Sequence, residues 1–459
     1  MQAPHHMPRS SDAMGSVPHA GYAHWPRRTP PGTRVVALTC RGFVDATGEI
    51  AGANAMLFSP EGGDGPVGCR LLALGSTDEL RRHPAWSDAH RLELPGAVVA
   101  PALANAHAHL DLTHAGPVPH DPADGFVAWL RGILDVRRRD AAGIAESVRQ
   151  GVGLLQRGGT AAVGDIAGGV GEADLLVPAA ELRAAGMLGV SYLEFFGLAE
   201  RADAAIDHVR AALDAEVAGG AIELGIQPHA PYTVSVRGYE RAAEVAGGRP
   251  LCTHLAESPA ERDLIVDGEG DMRAFLTDMG LWDEAVAAEF GRARSPVAQA
   301  IGVLPDSPPA LAVHLNDVDD RDIEALAARG VRAAYCPRSS DYFGAADRFG
   351  PHRYRDLLAA GIPVGLGTDS VLGLPPEDVA VRGICVLDEA RRLFERDGCP
   401  PAVLLEMLYH HTPAAIGLDP ALFSLRDGAA VPGLIAVAAD AGRGAANAFV
   451  ASRSPIEFL

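Results

Sequence analysis

The sequence predicts an α/β protein: a (β/α)₈ barrel of the TIM type with a small β-sandwich domain formed from its N- and C-terminal segments. Three observations lead to this prediction. Eight short apolar runs alternate with helix-like stretches in the middle of the chain. Shorter apolar runs, broken by Gly and Pro, lie on both sides of that region. The length of 459 residues suffices for a barrel and a second domain.

The apolar runs are interpreted as barrel strands because each is short and leads into a turn or a helical stretch. Residues 203–218, with the sequence DAAIDHVRAALDAEVA, are typical of the helices between them. The predicted strands are residues 98–107, 160–165, 188–196, 222–229, 250–254, 310–314, 332–337 and 363–369.

The flanking segments complete the predicted domain organisation. Residues 34–97 and 424–459 contain short apolar runs separated by turns, and we expect them to form the β-sandwich domain together. Residues 98–423 form the barrel. Residues 1–33 are rich in Pro, Gly, Ser and His and are expected to be a disordered tail.

Composition excludes several classes of protein. The formal net charge of −20 argues against a nucleic-acid partner, which requires a basic surface. Because no apolar run approaches about 18–20 residues, we expect no membrane span. The six cysteines are scattered without a CxxC spacing, which is typical of reduced thiols in a cytoplasmic protein. A homodimer is the commonest assembly of such proteins, although no motif specifies an interface.

The chain contains no lysine, so all of its basic side chains are arginines. This absence rules out a Schiff-base lysine, the lysine of a phosphate-binding loop and a carbamylated lysine that bridges two metal ions. Any metal centre in this chain therefore depends on other ligands.

Polar residues stand where the predicted strands end. In a (β/α)₈ barrel the C-terminal strand ends form the active-site face, so these side chains are expected to converge. They are His107, Asp165, Glu194, His229, His254, His314 and Asp369.

Three of these residues, together with His109, predict a site for one divalent metal ion. His107 and His109 are two residues apart, so both imidazoles lie on one face of a strand. His254 supplies a third imidazole and Asp369 a carboxylate. This ligand set suits zinc, with Fe²⁺ and Mn²⁺ as alternatives. An ion held in this way lowers the pKa of a bound water molecule to near neutrality.

The remaining chemistry is assigned to two further residues. Glu257 lies three residues after His254 and is expected to carry a proton to a substrate nitrogen. Either Asp369 or His314 takes the proton from the attacking water. His314 is either a fourth imidazole ligand or a residue that orients the water, and the sequence leaves both roles open.

Six segments resemble the motifs of the amidohydrolase superfamily. They are most similar to its aminohydrolase branch, which includes chlorohydrolase-like enzymes, adenosine-type and S-adenosylhomocysteine deaminases, and aminofutalosine deaminases. The similarity runs from about residue 98 to residue 370. The segments are PALANAHAHLDL, QPHAPYTVS, CTHLAES, AVHLNDVDD, CPRSS and GIPVGLGTDS.

The resemblance implies a (β/α)₈ barrel with one metal ion bound by His107, His109, His254 and Asp369. It also implies that Glu257 shuttles protons to the leaving amine and that His314 helps to polarise the water. His229, in QPHAPYT, matches a histidine that contacts the substrate base in nucleoside-type deaminases.

The sequence departs from that family in two places. The segment FVAWL contains Trp129, but the glutamate that binds ribose hydroxyls in related deaminases is missing, and arginines occupy 137–139. We therefore expect Trp129 and Arg138 to contact a substrate that carries a carboxylate or phosphate; the alternative is a solvated basic helix face. Gly433 stands where the family usually has Asp.

The predicted function is hydrolytic deamination of an amino-substituted heterocycle by a metal-activated water. An aminofutalosine-like purine nucleoside is the expected small-molecule substrate. The alternative is hydrolysis of a linear or cyclic amide or of a C–Cl bond. A third hypothesis, an inactive relative that acts as a binding or scaffold protein, predicts the loss of an essential residue, whereas the ligand set and Glu257 are all present.

Overall fold

The structure is a computed structural model that describes residues 28–30, 32–60, 68–168, 174–216 and 220–459. Most of the predicted tail, residues 1–33, lies outside these ranges. The described part of it contacts the end of the chain: the backbone amide of Arg28 donates to the carbonyl of Phe458, and its guanidinium lies 2.7 Å from the carboxylate of Glu457.

The described residues form strands at both ends of the chain and through its middle. The strands are β1 Val36–Asp45, β2 Gly48–Glu49, β3 Ala55–Ser59, β4 Cys69–Gly75, β5 His90–Pro101, β6 Leu103–Ala108, β7 Thr160–Ala167, β8 Leu188–Phe195, β9 Ile222–Pro228, β10 Cys252–Leu255, β11 Leu311–His314, β12 Arg332–Tyr335, β13 Val364–Leu366, β14 Ala430–Val431, β15 Leu434–Ala438 and β16 Ile456–Phe458.

Helices occupy most of the connections between these strands. They are α1 Thr77–Leu80, α2 Phe126–Val136, α3 Ala141–Arg157, α4 Val177–Ala184, α5 Arg201–Ala215, α6 Val236–Ala246, α7 Pro259–Arg262, α8 Asp271–Asp278, α9 Glu284–Ala287, α10 Pro296–Ala300, α11 Asp320–Arg329, α12 Pro337–Tyr342, α13 Ala345–Phe349, α14 Tyr354–Ala359, α15 Pro376–Arg382, α16 Val386–Asp397, α17 Pro401–Glu406, α18 Thr412–Ala415 and α19 Ala445–Ala451. Within the described ranges, no helix is long and apolar enough to cross a membrane.

Strands from both ends of the chain share one sheet. Its order is β14-β4-β3-β1-β5-β15-β16, and β2 pairs with β1. Side chains alternate between the two faces along each strand. Leu38 and Met56 pack in one apolar cluster, whereas their neighbours Ala37 and Leu57 pack in another. Strands of the N- and C-terminal segments therefore pair with one another, through β5 and β15 and through β4 and β14.

The predicted strand at residues 98–107 is in fact two strands in different sheets. β5 pairs with β15 up to Pro101, and the amide of Ala102 still donates to Gly433 of that region. One residue later the amide of Leu103 donates to Gly159, just before β7. The boundary was missed because residues on both sides of Ala102 are equally apolar and buried.

The middle of the chain forms two four-stranded parallel sheets, β6-β7-β8-β9 and β10-β11-β12-β13. Single bridges, Ile226 with Leu251 and Ala108 with Asp369, join the edges of these two sheets. Parallel strands covered on both faces are uniformly apolar, and β7 and β8 are buried along their whole length. The other seven predicted strands coincide with β7 to β13; the largest difference is at β13, which ends at Leu366 rather than 369.

Helices pack over the loops that follow β8 and β9. The apolar side chains of α2 meet those of α7 and α8 in a separate small cluster, which includes Phe126, Leu264 and Phe275. Leu198 and Tyr232, from the loops after β8 and β9, belong to the same cluster. The chain therefore covers the C-terminal ends of these strands with α2 and with the long connection between β10 and β11.

Candidate active site

The structure brings four histidines and one aspartate together at the C-terminal strand ends. The ring centroids of His107 lie 4.9 Å from His109, 5.1 Å from His254 and 5.7 Å from His314. Asp369 Oδ1 lies 3.5 Å from His109 Nε2 and 3.8 Å from His107 Nε2. Residues more than a hundred positions apart in the sequence thus form one cluster.

The donor atoms of this cluster fit a divalent metal ion. One ring nitrogen from each of His107, His109 and His254 lies within 4.8 Å of the others. Both ring nitrogens of His107 and the Nδ1 atom of His109 are buried. None of these three atoms has a hydrogen-bond partner among the described residues. Buried polar atoms without partners are rare unless a ligand satisfies them. Burial, followed by the neighbouring histidines, lowers the pKa of His107, so the imidazole is neutral as metal binding requires.

Backbone geometry at the strand ends aims these side chains. Asp369 and His314 adopt positive φ values of 58° and 79°, which non-glycine residues rarely adopt outside functional sites. A Cβ at Gly367 would lie only 2.8 Å from the Cβ of His107, so glycine lets β13 approach β6. This close approach places Asp369 beside His107, which lies in β6, and His109, which directly follows the strand.

Glu257 is buried and faces His314, with Oε1 3.5 Å from Nε2 of the histidine. Its backbone is held on both sides: its amide donates to Glu261 Oε2 at 2.7 Å, and its carbonyl accepts from Asn316 Nδ2 at 3.0 Å. Burial, with smaller contributions from the Asp369 and Glu261 carboxylates, raises the pKa of Glu257 well above its usual range. Burial therefore favours the protonated form of this carboxyl group.

His314 lies beside Glu257 rather than among the three clustered imidazoles. Its side chain is grouped by distance with Glu257 and Asp369. The carbonyl of His314 accepts a hydrogen bond from Nε2 of His352 at 2.8 Å, which fixes the turn that follows β11. Burial lowers the pKa of His314 to about 3. The ring centroid of His314 also lies 5.4 Å from that of His254.

Asp369 is oriented by a residue that the sequence reasoning missed. Ser339, in the first turn of α12, donates to Asp369 Oδ2 at 2.6 Å, and the amide of Ser370 donates to Oδ1 at 2.8 Å. Hydrogen bonds of this kind fix a ligating carboxylate in one orientation. The only sequence signal was that Ser339 lies in CPRSS, a motif directly after a predicted strand.

We expect Ser339→Ala to weaken binding of zinc about 10–100-fold, because a hydrogen-bond partner of a ligating carboxylate typically contributes this much affinity. Competition with a zinc-binding dye measures the change. Ser87→Ala is the matched control, because Ser87 also donates to a neighbouring aspartate, Asp88, but on the exposed surface. Equal zinc affinities of the Ser339→Ala variant and the wild type would contradict the assigned role.

His229 lies at the edge of the cluster, as the sequence predicted. Its ring centroid is 5.0 Å from that of His254 and 4.6 Å from that of Phe196. Nδ1 lies 2.7 Å from the hydroxyl of Thr233, so Nε2 is the nitrogen left for a ligand. Burial lowers the pKa of His229 well below its usual range, so the ring is neutral.

Trp129 lies on α2, half-buried, with its ring 4.9 Å from that of Phe343 in a T-shaped contact. It packs beside Leu112 and Leu372, which follow His109 and Asp369 closely in the chain. Trp129 therefore packs against residues from the two segments that supply His109 and Asp369.

The prediction for Arg138 needs correction, because the structure directs the neighbouring Arg137 to the site instead. Arg138 donates to Glu146 at 2.7 Å and to the carbonyl of Gly143, at the partly exposed start of α3. Arg137 is buried and lies 2.8 Å from Asp111 and 3.4 Å from Glu194. The reason is that α2 ends at Val136, and Arg137 is already extended, so adjacent side chains diverge.

Asp165 and Glu194, the two remaining strand-end residues, are both fully buried. Asp165 Oδ1 accepts from the amide of Leu110 at 3.1 Å and so holds the turn after His109. Glu194 lies close to His229 and His254. Burial raises the pKa of Glu194 to about 7, and the Arg137 charge opposes this rise.

Two named relatives are similar in sequence. Aminodeoxyfutalosine deaminase of Deinococcus radiodurans is 31% identical over 330 residues, which cover 68% of this chain and 72% of that protein. The 5-methylthioadenosine/S-adenosylhomocysteine deaminase of Nitratidesulfovibrio vulgaris (strain DP4) is 26% identical over 311 residues, covering 65% of this chain and 62% of that protein. The match thus spans less than two thirds of the second relative.

Two solved structures share the fold. An adenosine deaminase from Xanthomonas campestris with bound zinc has a TM-score of 0.66 at 19% identity, covering 93% of this chain and 91% of that one. Helicobacter pylori aminofutalosine deaminase in complex with methylthio-coformycin has a TM-score of 0.69 at 16% identity, covering 92% and 97%. Identities this low show a common fold and no more.

The chain also matches a known family over most of its length. Residues 98–430 match the Amidohydrolase family, which is well over half of the chain. The matched range contains every residue of the histidine and aspartate cluster. The resemblance inferred from the six sequence motifs is thereby confirmed, and this chain belongs to the amidohydrolase family.

Proposed function

We propose that the protein is a metal-dependent hydrolase that deaminates an amino-substituted heterocycle, with an aminodeoxyfutalosine-like purine nucleoside as its substrate. The observation that carries the proposal is the position of Glu257. A buried carboxyl group that can hold a proton faces His314 beside a cluster of neutral imidazoles and Asp369. The similarity to the deaminases of D. radiodurans and N. vulgaris supports the same substrate class.

We infer one ion, held by His107, His109, His254 and Asp369. Three imidazoles and one carboxylate suit zinc, with Fe²⁺ and Mn²⁺ as alternatives, and the similar X. campestris structure has bound zinc. We also infer that the two parallel sheets close into one (β/α)₈ barrel; the bridges at both pairs of edges support this closure. The β-sandwich description of the terminal sheet, the homodimer and the cytoplasmic location stay predictions.

A divalent ion bound here would act as a Lewis acid and lower the pKa of a water molecule at the site. Asp369 and His314 orient the attacking water by accepting its hydrogen bonds. Glu257 donates its proton to the ring nitrogen next to the carbon under attack. Asp369 or His314 takes one proton of the water, and the Glu257 carboxylate relays it to the leaving amine. The second proton of the water returns to Glu257 as the carbonyl forms. A C–O bond forms, the C–N bond breaks, and ammonia leaves.

The test is ammonia release from a panel of aminopurine nucleosides by zinc-loaded protein. We expect release from at least one adenine nucleoside that is substituted at the 5′ position. A parallel panel of hydantoins, dihydropyrimidinones and chlorotriazines covers the alternative reactions. Hydrolysis of a cyclic amide or a C–Cl bond without any ammonia release from nucleosides would contradict the proposal.

A further inference from the structure

Glu194 is a buried carboxyl group that the proposed metal site and proton path do not use. It stands at the end of β8 and is 1% exposed. Its Oε1 atom has no hydrogen-bond partner among the residues that the structure describes. One carboxylate oxygen lies within 4.8 Å of a ring nitrogen of His229 and one of His254. A buried polar atom of this kind, aimed at a reaction centre, calls for a ligand.

Arg137 holds the other oxygen of the same carboxylate. Its Nη2 atom lies 3.4 Å from Glu194 Oε2, while Nε and Nη2 both donate to Asp111 Oδ2, at 3.2 and 2.8 Å. A Cβ at position 168 would overlap this guanidinium, so Gly168 leaves room for it. Arg137 is therefore fixed between two carboxylates, and it leaves only Oε1 of Glu194 free to bind a ligand.

Two kinds of ligand could satisfy Glu194 and His229: a second metal ion or a polar group of the substrate. The positive charge of the Arg137 guanidinium lies 3.4 Å from Glu194 Oε2. The same charge repels a second cation at this position. His254, moreover, already belongs to the group formed with His107 and His109. The arrangement therefore favours a neutral polar ligand over an ion.

We propose that Glu194 binds the polar edge of the heterocycle beside His229, and that Arg137, held by Asp111, is a positioning residue for Glu194. This inference rests on the proposed function. The ring carbon under attack must lie between the metal position and Glu257, and contacts on a second edge of the ring fix that orientation. A buried site that hydrogen-bonds its substrate discriminates strongly against analogues that lack the bonding atom.

The first test counts metal ions and does not depend on any substrate. Wild-type protein and the Glu194→Gln and Arg137→Gln variants are saturated with zinc and freed of excess ion, and zinc per chain is measured by mass spectrometry. The subsite predicts one ion per chain in the wild type and in Glu194→Gln. Two ions in the wild type that fall to one in Glu194→Gln would show that the group binds metal, and would overturn the proposal.

The second test pairs variants with substrate analogues. N3 and N7 of a purine only accept hydrogen bonds, so the proposed contact requires that the protonated carboxyl group of Glu194 donates to one of them. The best nucleoside from the panel is compared with its 3-deaza and 7-deaza analogues, each of which replaces one of these nitrogens by C–H. We expect Glu194→Leu to lower kcat/KM for the parent nucleoside about 100-fold or more, and to have little further effect on one of the two analogues. Equal losses on all three compounds would overturn the contact with the ring edge.

The role of Arg137 is tested by a conservative pair of variants. Arg137→Gln is expected to raise KM for the parent nucleoside about tenfold, and Arg137→Lys to restore part of the loss because it keeps the charge. Arg131→Gln is the matched control, because Arg131 lies on the same helix and pairs with Asp278 at the surface. An unchanged KM in Arg137→Gln, with an unchanged melting temperature, would contradict the positioning role.

The failures of the two proposals are distinguishable. Wild-type protein that binds one zinc ion and releases ammonia from no nucleoside contradicts the proposed function. Protein that deaminates a nucleoside but loses activity equally on all analogues after Glu194→Leu contradicts only the subsite. Glu324→Gln, on the exposed face of α11, controls for the loss of an acidic group elsewhere in the chain.

Discussion

Glu257→Gln is expected to lower kcat for deamination by about 10²–10⁴-fold, which is the usual contribution of a positioned proton donor. Glutamine has the same size and can still accept the contacts of the pocket, but it holds no transferable proton. The pocket itself is built by backbone bonds to Glu261 and Asn316, which the substitution leaves intact. The effect should therefore appear in kcat more than in KM.

The measurement is ammonia release together with zinc content and melting temperature. We expect zinc content to stay the same, because Glu257 groups with His314 and Asp369 and not with the three clustered imidazoles of His107, His109 and His254. Glu324→Gln, at an exposed position, is the control for the chemistry of the substitution. Full activity in Glu257→Gln would contradict proton transfer by this residue, and loss of zinc would indicate a ligand role instead.

Most of the fold was predictable because uniformly apolar strands leave a strong signal. The runs at 188–196 and 222–229 coincide with β8 and β9 to within one residue. The crossing between two sheets at Ala102 left no such signal, because burial is equal on both sides of it. Which partner a buried strand takes depends on distant segments, here Gly433 and Gly159, and local sequence does not encode that choice.

The candidate site likewise contains residues that the sequence predicts and residues whose contacts depend on distant packing. His254, His314 and Asp369 were predictable because they stand at or just after the C-terminal ends of parallel strands, which lie side by side at one edge of a sheet. Ser339 acts from a helix, and its contact with Asp369 depends on how α12 packs. Arg137 faces the site and Arg138 does not, because α2 ends at Val136 and Arg137 is the first residue beyond the helix. Helix ends are hard to place from sequence to within one residue.

Removing the divalent ion is expected to abolish deamination and to lower the melting temperature. Lewis-acid activation of water contributes several kcal/mol to catalysis, and at 1.36 kcal/mol per tenfold in rate the loss is about 10³-fold or more. An ion that binds only the folded chain stabilises it by about 4 kcal/mol at a thousand times its Kd. The buried ring nitrogens of His107, which lack partners among the described residues, should then be unsatisfied.

The experiment is dialysis against a chelator, followed by addition of one equivalent of zinc. Activity and melting temperature should both return in the wild type. They should not return in His254→Ala, because that imidazole belongs to the clustered set. His208→Ala is the matched control, since His208 is exposed on α5 and should keep the response to zinc. Full turnover in metal-free protein would contradict the metal centre. The buried ring nitrogens of His107 and His109 that lack hydrogen-bond partners among the described residues would then have no assigned ligand.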